Sequence, residues 1–393
     1  MLINKKNTLY FLPLILVTNT PSIEVNIGVS AVHIYQIFTI FFGLLFLSNI
    51  KRFSKLEPLV LIGVLIIILF SILIIFQGRD EELIKYANSN INSEWQILYE
   101  KKTFNDFYRD STISIFQLIN FSILFICFHF YYNAKLGIEE YRRGFKFFII
   151  ITLVIQFIII IFQVIILNID RPSGTFGNAQ SLGFMMNIAI AWSLTTNNLK
   201  NLTKVSFILC GIAIIILSGT RSSLAICFLI IISYFLFRKN TRSKKVILYA
   251  LLIITFTFTI LISAIPEIRQ LFLLSLSQIT SPLTMSLRGM MWESFYYVFP
   301  EYSILGTKGI TVYFTDNFFW FFLLPYGFLG LFFLSFFFKL LIKNSINNDF
   351  LFLLSISIIV QSISYYGFFI GNLGWVVMGI IAFEINSKNK VNV

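Results

Sequence analysis

The amino-acid sequence predicts an all-α, polytopic membrane protein with about twelve transmembrane helices. Of its 393 residues, 57% are apolar and 12% are charged, whereas a soluble domain has about 25% charged residues. The mean hydropathy is +0.84, and the chain contains repeated apolar runs close to the ~20 residues that span a bilayer as a helix. This composition excludes a soluble enzyme. The runs do not alternate apolar and polar residues, which also excludes an outer-membrane barrel.

The apolar segments form a single integral membrane domain over 1–393. The first segment is short, and Pro13 is expected to break it. The run 205–237 is too long for one span, and its polar stretch from Ser218 to Ser223 divides it into two. The expected spans are about 9–17, 27–50, 56–76, 111–132, 144–167, 181–197, 203–218, 222–237, 246–265, 317–342, 350–364 and 368–385.

The distribution of basic residues predicts the orientation of these spans. One alternate set of loops contains 20 of the 30 basic residues and five of the 18 acidic residues, while the other set has a negative net charge. Because cytoplasmic loops are enriched in Lys and Arg, we expect both termini in the cytoplasm. The net charge of +12 is then explained by topology and by anionic membrane lipid. Nucleic acid is not expected as a partner.

No metal or cofactor site is expected. The three cysteines lie singly in apolar runs, as do the two histidines. No predicted cytoplasmic loop is large enough for a nucleotide-binding domain, and no glycine-rich phosphate loop occurs. Any chemistry is therefore expected on the outer face, which has two long loops, 77–110 and 266–316.

The short outer loop beginning at Arg171 has the sequence Arg-Pro-Ser-Gly-Thr-Phe-Gly-Asn-Ala-Gln. An irregular turn with an interfacial arginine would explain Arg171 alone. The density of turn-forming and hydrogen-bonding residues, including Asn178 and Gln180, instead favours a loop that faces a ligand.

A second arginine, Arg221, lies at the outer start of an inward-running helix and is followed by Ser222 and Ser223. The amides and dipole of such a helix start attract anions, and an arginine fork can bind two phosphate oxygens. Snorkelling of the arginine to the membrane interface is an equally good interpretation of this residue taken alone.

The large outer loop contains Arg288, Trp292 and Glu293. Arg288 and Trp292 are four residues apart, so a helix would present a charged and an aromatic group on one face. An Arg288–Glu293 ion pair and an interfacial tryptophan are the alternatives. Asp316 and Asn317 follow at the expected start of the tenth span, where a carboxylate could act as a base. Helix capping is the simpler role for both.

Three polar residues fall inside apolar segments, namely Gln156, Gln163 and Asn187. They are separated from one another in sequence. We interpret them as isolated residues that serve helix packing. The outer arginines and aromatics, in contrast, suit a ligand with an anionic group near the lipid and a polar body outside it, such as a polyprenyl-diphosphate-linked sugar.

The motifs at 171–178 and 218–223 and the loop from Arg288 to Asn317 resemble the O-antigen polymerase and ligase superfamily. In that family an R-x-x-G-T-F-x-N loop, a G-[ST]-R-[GS] hairpin and a large late outer loop occur in this order. The resemblance covers roughly 171–335. It implies a multi-spanning glycosyltransferase of the class that uses polyprenyl-linked donors, in the bacterial inner membrane, with its active site facing the periplasm or exterior.

Matched onto this chain, the family pattern implies that Arg171, Arg221 and Arg288 hold the diphosphate of an undecaprenyl-diphosphate-linked oligosaccharide without a metal. A polymerase would transfer the growing glycan to the non-reducing end of another lipid-linked repeat unit, in O-antigen, capsule or exopolysaccharide synthesis. A chain-length regulator and a flippase would be its pathway partners. Arg221, Arg288 and Asp316 are the expected catalytic residues, and the expected substrate-binding residues are Arg171, Asn178, Gln180, Ser222, Trp292, Glu293 and Asn317.

Two departures from the family pattern affect this expectation. Ligases of the superfamily usually have a histidine before the asparagine at the helix after the large loop, where this chain has Asp316. The polymerase is therefore preferred to the ligase. The fixed arginine–glycine interval that polymerases often show is not repeated after Arg288.

A flippase is the alternative from another functional class, although the chain shows no clear half-repeat. A structural scaffold would not explain the outer arginines.

Overall fold

The computed structural model describes residues 5–21, 24–27, 30–48, 63, 69, 111–134, 136–169, 171–196, 199–237, 318–346, 348–362 and 371–391. The outer loops 77–110 and 266–316 and the span expected at 246–265 lie outside the described residues. The span expected at 56–76 also lies outside the described residues, except for Gly63 and Leu69, which are helical.

The described chain is predominantly helical, with one short β-hairpin. The helices are α1 (Lys5–Asn19), α2 (Ile34–Ser48), α3 (Ser111–Tyr132), α4 (Ile138–Ile165), α5 (Ala179–Thr195), α6 (Asn201–Leu217), α7 (Arg221–Phe237), α8 (Phe318–Ser345), α9 (Asp349–Gln361) and α10 (Gly371–Val391). The antiparallel strands are β1 (Glu24–Ile27) and β2 (Ser30–His33).

Most expected spans that fall on described residues coincide with a helix, and the polar stretch from Ser218 to Ser223 separates α6 from α7 as predicted. Two details of the expectation are wrong. The segment 27–50 begins in the β-hairpin, so its helix starts only at Ile34. Helix α1 also continues through Pro13 without a break.

The expected single span at 317–342 is wrong as well, because α8 is a helical hairpin. The rings of Phe319 and Phe338 lie 5.9 Å apart, and those of Phe322 and Phe333 lie 5.4 Å apart. In a straight helix, residues 19 positions apart would be separated by about 28 Å. The chain reverses at Gly327, whose φ of 56° and ψ of −143° are accessible mainly to glycine.

Within the part of the chain that the structure describes, two helical segments are long and apolar enough to cross a bilayer: Ile138–Ile165 with 28 residues and Tyr326–Ser345 with 20. Along the second half of α4, one face leaves Val154, Ile158 and Ile165 52%, 60% and 69% exposed. An exposed apolar face of this kind fits contact with lipid. The fold is therefore compatible with a helical membrane protein.

Buried aromatic side chains link α4, α5 and α9 near the start of α9. The ring of Phe145 on α4 lies 5.4 Å from that of Trp192 on α5 and 5.8 Å from that of Phe350 on α9. Helix α9 packs against α5, α7 and α8, while α10 packs against α3, α1 and α2. The start of α9 contacts the end of α7 through Phe352 and Phe237, whose rings are 5.6 Å apart. Helices α7 and α9 are thus antiparallel neighbours.

One end of this bundle, which we call the Glu384 end, is joined by buried hydrogen bonds. The Tyr141 hydroxyl at the start of α4 donates to Glu384 Oε1 at 2.7 Å. Asn348 caps α9 by accepting from the Leu351 amide, and its Nδ2 donates to Glu384 Oε2 at 2.6 Å. Glu384 is 8% exposed. A single carboxylate therefore ties together α4, α9 and α10.

We predict that Glu384→Ala destabilises the protein more than the surface change Glu139→Ala. Removing the Glu384 carboxylate leaves the Tyr141 hydroxyl and the Asn348 amide without their acceptor, a loss of roughly 1–3 kcal/mol in the free energy of unfolding. Glu139 only pairs with exposed Arg142 at 3.7 Å, and such surface pairs contribute little. Thermal unfolding in detergent measures the difference, and equal melting temperatures for the two variants would contradict this role of Glu384.

Candidate functional site

The loop between α4 and α5 is held to α4 by two glutamine side chains. Gln163 Nε2 donates to Gly174 O at 3.1 Å, while the Gly174 amide donates to Gln163 Oε1 at 2.9 Å. Gln156 accepts from the Thr175 amide at 3.0 Å and donates to Thr175 Oγ1 at 2.6 Å. Gln156 and Gln163 are seven residues apart, so they lie on one face of the helix. Together they hydrogen-bond the backbone of a loop segment that has no regular secondary structure.

The end of α1 completes the support of this loop. The Thr175 hydroxyl donates to Thr18 O at 2.8 Å, and Gln156 Nε2 also donates to Asn19 Oδ1 at 3.2 Å. Thr175 is fully buried and Phe176 nearly so, whereas Arg171 is exposed. The loop is therefore anchored by its middle and presents Arg171 at the surface.

The hairpin between α6 and α7 is a second rigid element at the same end of the bundle. Gly219 has a φ of +65°, which the tight turn requires. Ser218 Oγ and Thr220 Oγ1 share a hydrogen bond of 2.8 Å, and both residues are buried. The Leu224 amide donates to Thr220 O at 3.0 Å, which begins the hydrogen-bonding of α7. Arg221 is thus fixed in the first turn of that helix.

Helix α5 approaches this hairpin closely because it carries a glycine at the contact. A Cβ on Gly183 would lie 2.5 Å from Ser223 Cβ and 2.7 Å from Thr220 Oγ1. One turn further along α5, Asn187 Nδ2 donates to Ser223 O at 3.0 Å. Small residues at such a crossing let backbones come together. Helix α5 therefore sets the position of the start of α7.

The loop and the hairpin meet at their arginines. A Cβ on Gly219 would lie 4.0 Å from Arg171 Cγ. Partial burial lowers the pKa of Arg221, and the positive charge of Arg171 lowers it further. The structure thus brings Arg171 and Arg221, which we call the arginine pair, to one place beside the N-terminus of α7. Two neighbouring cations and the positive end of the α7 helix dipole form an arrangement suited to an anion.

Three of the other predicted site residues lie in the described part of the chain, at the starts of α5 and α7. Asn178 caps α5, since its Oδ1 accepts from the Gln180 amide at 2.7 Å, so in this structure its side chain serves the helix start. Gln180 and Ser222 are half-buried in the first turns of α5 and α7. The remaining predicted residues lie outside the described residues: Arg288, Trp292, Glu293, Asp316 and Asn317.

Two residues important to the site were misinterpreted from the sequence. Gln156 and Gln163 were expected to be isolated helix-packing residues, but each bonds to the loop that holds Arg171. Asn187, interpreted in the same way, does serve helix packing, because its amide on α5 donates to the Ser223 carbonyl on α7. The signal in the sequence was the spacing of seven between the glutamines, which places both amides on the side of α4 that faces the following loop.

Comparisons with known proteins add no family to these observations. No protein-family model matches the chain, and no curated protein matches its sequence.

We predict that Gln163→Leu mobilises the Arg171 loop while leaving the rest of the bundle in place. The variant removes both hydrogen bonds to Gly174, and each unpaired backbone group costs about 1–3 kcal/mol. Amide hydrogen exchange should therefore speed up at Gly174. The Tyr141 amide, which donates to Gly137 O at the opposite end of α4, is the internal control and should not change. Unchanged exchange at Gly174 would show that the glutamine does not hold the loop.

Proposed function

We propose that this chain is a glycosyltransferase that polymerises lipid-linked oligosaccharide repeat units. It would transfer a glycan from undecaprenyl diphosphate to the non-reducing end of another lipid-linked repeat unit, on the outer face of the bacterial inner membrane. The observation that carries this proposal is the meeting of Arg171 and Arg221 beside a helix N-terminus. The family resemblance of the two motifs supplies the reaction.

In this proposal the arginine pair binds the diphosphate of the donor. A guanidinium fork contacts two phosphate oxygens at once, and fixed positive charge stabilises the negative charge that grows as the diphosphate leaves. The acceptor hydroxyl oxygen forms the new bond to the anomeric carbon as the bond from that carbon to the diphosphate oxygen breaks. The hydroxyl proton passes to a base, and undecaprenyl diphosphate is released.

The proposed membrane layout has about twelve spans, with both termini in the cytoplasm. Hydrogen bonds between segments expected on the same side support it. On the expected outer side, Thr175 bonds to Thr18 at the end of α1. On the expected cytoplasmic side, Tyr141 bonds to Glu384, and Asn386 bonds to Ala134 O at 2.8 Å. The outer loop 266–316 would cover the arginine pair and contribute Arg288, Trp292 and Glu293.

The test is chain elongation by the purified full chain, supplied with its native undecaprenyl-diphosphate-linked repeat unit in EDTA and without nucleotide. We expect a ladder of longer lipid-linked glycans together with released undecaprenyl diphosphate. If the lipid crosses a liposome membrane without being extended, the flippase replaces the polymerase. If glycan is transferred only to a lipid A core acceptor, the ligase does.

We predict that Arg221→Ala lowers elongation at least about 100-fold, the usual order for loss of one transition-state-stabilising group. Arg221→Lys should restore little, because an ammonium group lacks the two-pronged geometry of the guanidinium. Arg143→Ala is the matched control, since Arg143 is exposed at the opposite end of α4. Normal elongation by a folded Arg221→Ala variant would remove the arginine from the mechanism.

We predict that Asp316→Asn leaves elongation close to the wild-type rate. The ring contact of Phe319 with Phe338 and the reversal at Gly327 carry the start of α8 toward the Glu384 end, away from the arginine pair. Asparagine caps a helix as well as aspartate does, so the variant removes only the basic carboxylate. Loss of elongation at an unchanged melting temperature would show that the Asp316 carboxylate is the base.

A further inference from the structure

Helix α7 has a buried face and an exposed apolar face. The buried face includes Ile226 and Ile230, and the helix packs against α5 and α9. On the other side of the helix, Phe228, Ile232 and Leu236 are 47%, 52% and 71% exposed. We call these three exposed residues the α7 stripe.

The α7 stripe lies on the same side of the helix as Arg221. Its residues follow Arg221 by 7, 11 and 15 positions, which places them within about 60° of the arginine around the helix axis. Along that axis, Phe228 lies about 10 Å and Ile232 about 16 Å from Arg221. One leaflet of the hydrocarbon core is ~15 Å deep. In the proposed membrane layout, the stripe therefore crosses the outer leaflet directly below the arginine.

The exposed apolar face of α4 is not aligned with an arginine in this way. Ile158 is two residues from Gln156, and Ile165 is two residues from Gln163, so each isoleucine lies about 160° around the helix from a glutamine. Both glutamines bond to the Arg171 loop. The exposed face of α4 thus points away from that loop, as a surface for bulk lipid can.

The proposed donor joins its diphosphate directly to an isoprenoid tail, so a diphosphate on the arginine pair fixes where the tail begins. Bulk lipid is as apolar as the tail, and the tail therefore gains affinity from close packing and not from leaving water. Side chains on a helix lean toward its N-terminus, which on α7 is the direction of Arg221. The ring of Phe228 and the branched side chain of Ile232 offer a packing surface at that place.

We propose that the α7 stripe binds the first isoprene units of the donor's undecaprenyl tail, while the arginine pair binds the diphosphate. This inference rests on the proposed function, because it assigns the lipid-binding part of the same site. The donor reaches the arginine pair from the outer leaflet along α7, and its tail stays at the surface of the bundle. Phe228 and Ile232 are then substrate-binding residues.

The first experiment places a photoreactive group at one of two matched positions in the full chain. Phe162 on α4 is 46% exposed and matches Phe228 on α7; each is replaced singly by p-benzoylphenylalanine. In phosphatidylcholine nanodiscs containing radiolabelled undecaprenyl diphosphate, we expect illumination to link that lipid to position 228 and only phosphatidylcholine to position 162. Adding Arg221→Ala should lower the product at position 228 at least about tenfold, as for one lost hydrogen bond to a charged group.

The second experiment compares two double variants that each remove one ring and one branched side chain four residues apart. Phe228→Ala with Ile232→Ala tests the stripe, and Phe162→Ala with Ile158→Ala is the control on α4. Dissociation constants come from the dependence of the melting temperature on ligand concentration. We expect the α7 variant to bind undecaprenyl diphosphate about tenfold more weakly, as for roughly ten lost carbon contacts. Its affinity for inorganic diphosphate should not change, and the control should bind both ligands as the wild type does.

Two results would overturn the inference in different ways. If position 228 links only to phosphatidylcholine while the chain elongates its lipid-linked repeat unit, the stripe contacts bulk lipid, although the proposed function stands. Equal affinity of the two double variants for undecaprenyl diphosphate leads to the same conclusion. If the wild type binds neither undecaprenyl diphosphate nor inorganic diphosphate, the proposed function fails and the stripe assignment fails with it. Should the α7 double variant not fold, the crosslinking at positions 228 and 162 decides the question alone.

Discussion

The candidate site depends on hydrogen bonds that two glutamine side chains make to the backbone of the Arg171 loop. In apolar surroundings an irregular loop cannot leave its amides and carbonyls unbonded, because each such group costs several kcal/mol. Gln156 and Gln163 satisfy the backbone of Gly174 and Thr175 from one face of α4. They allow a non-helical segment to sit among α1, α4 and α5 with its middle buried. These hydrogen bonds fix the loop that carries Arg171.

The same constraint shapes the hairpin that carries Arg221. Its hydroxyl groups bond to each other, its glycine adopts a left-handed turn, and Asn187 bonds to the backbone of the helix that follows. Gly183 lets α5 come close enough for that bond. The two arginines, far apart in sequence, are thus brought together by neutral polar residues.

The two ends of the bundle are built differently. At the Glu384 end, buried hydrogen bonds join the starts and ends of helices through a single carboxylate. At the opposite end, the corresponding bonds go to loop backbone and leave cationic side chains at the surface. The aromatic contacts around Phe145 lie near the Glu384 end, since Phe350 is two residues from Asn348. One end is therefore built for helix packing and the other for presenting charged groups.

Hydropathy and charge in the sequence were sufficient to predict most helix positions and the hairpin at Ser218–Ser223. They also predicted that Arg171 and Arg221 would lie at the same end. The β-hairpin within 27–50 and the reversal at Gly327 could not be predicted in this way, because an apolar run has the same mean hydropathy whether or not its chain turns back. Glycine and proline in such a run fit a kink as well as a full reversal. The roles of Gln156 and Gln163 needed the fold, since both partners lie in a loop.

The central claim is that Arg171 and Arg221 bind one diphosphate together. The most direct test is a double-mutant cycle on undecaprenyl diphosphate binding, with Arg171→Ala, Arg221→Ala and the double variant. If both guanidiniums contact the same diphosphate, the losses in binding free energy are not additive, and the coupling is roughly 0.5–3 kcal/mol. Fully additive losses, or undiminished binding by either single variant, would contradict the claim.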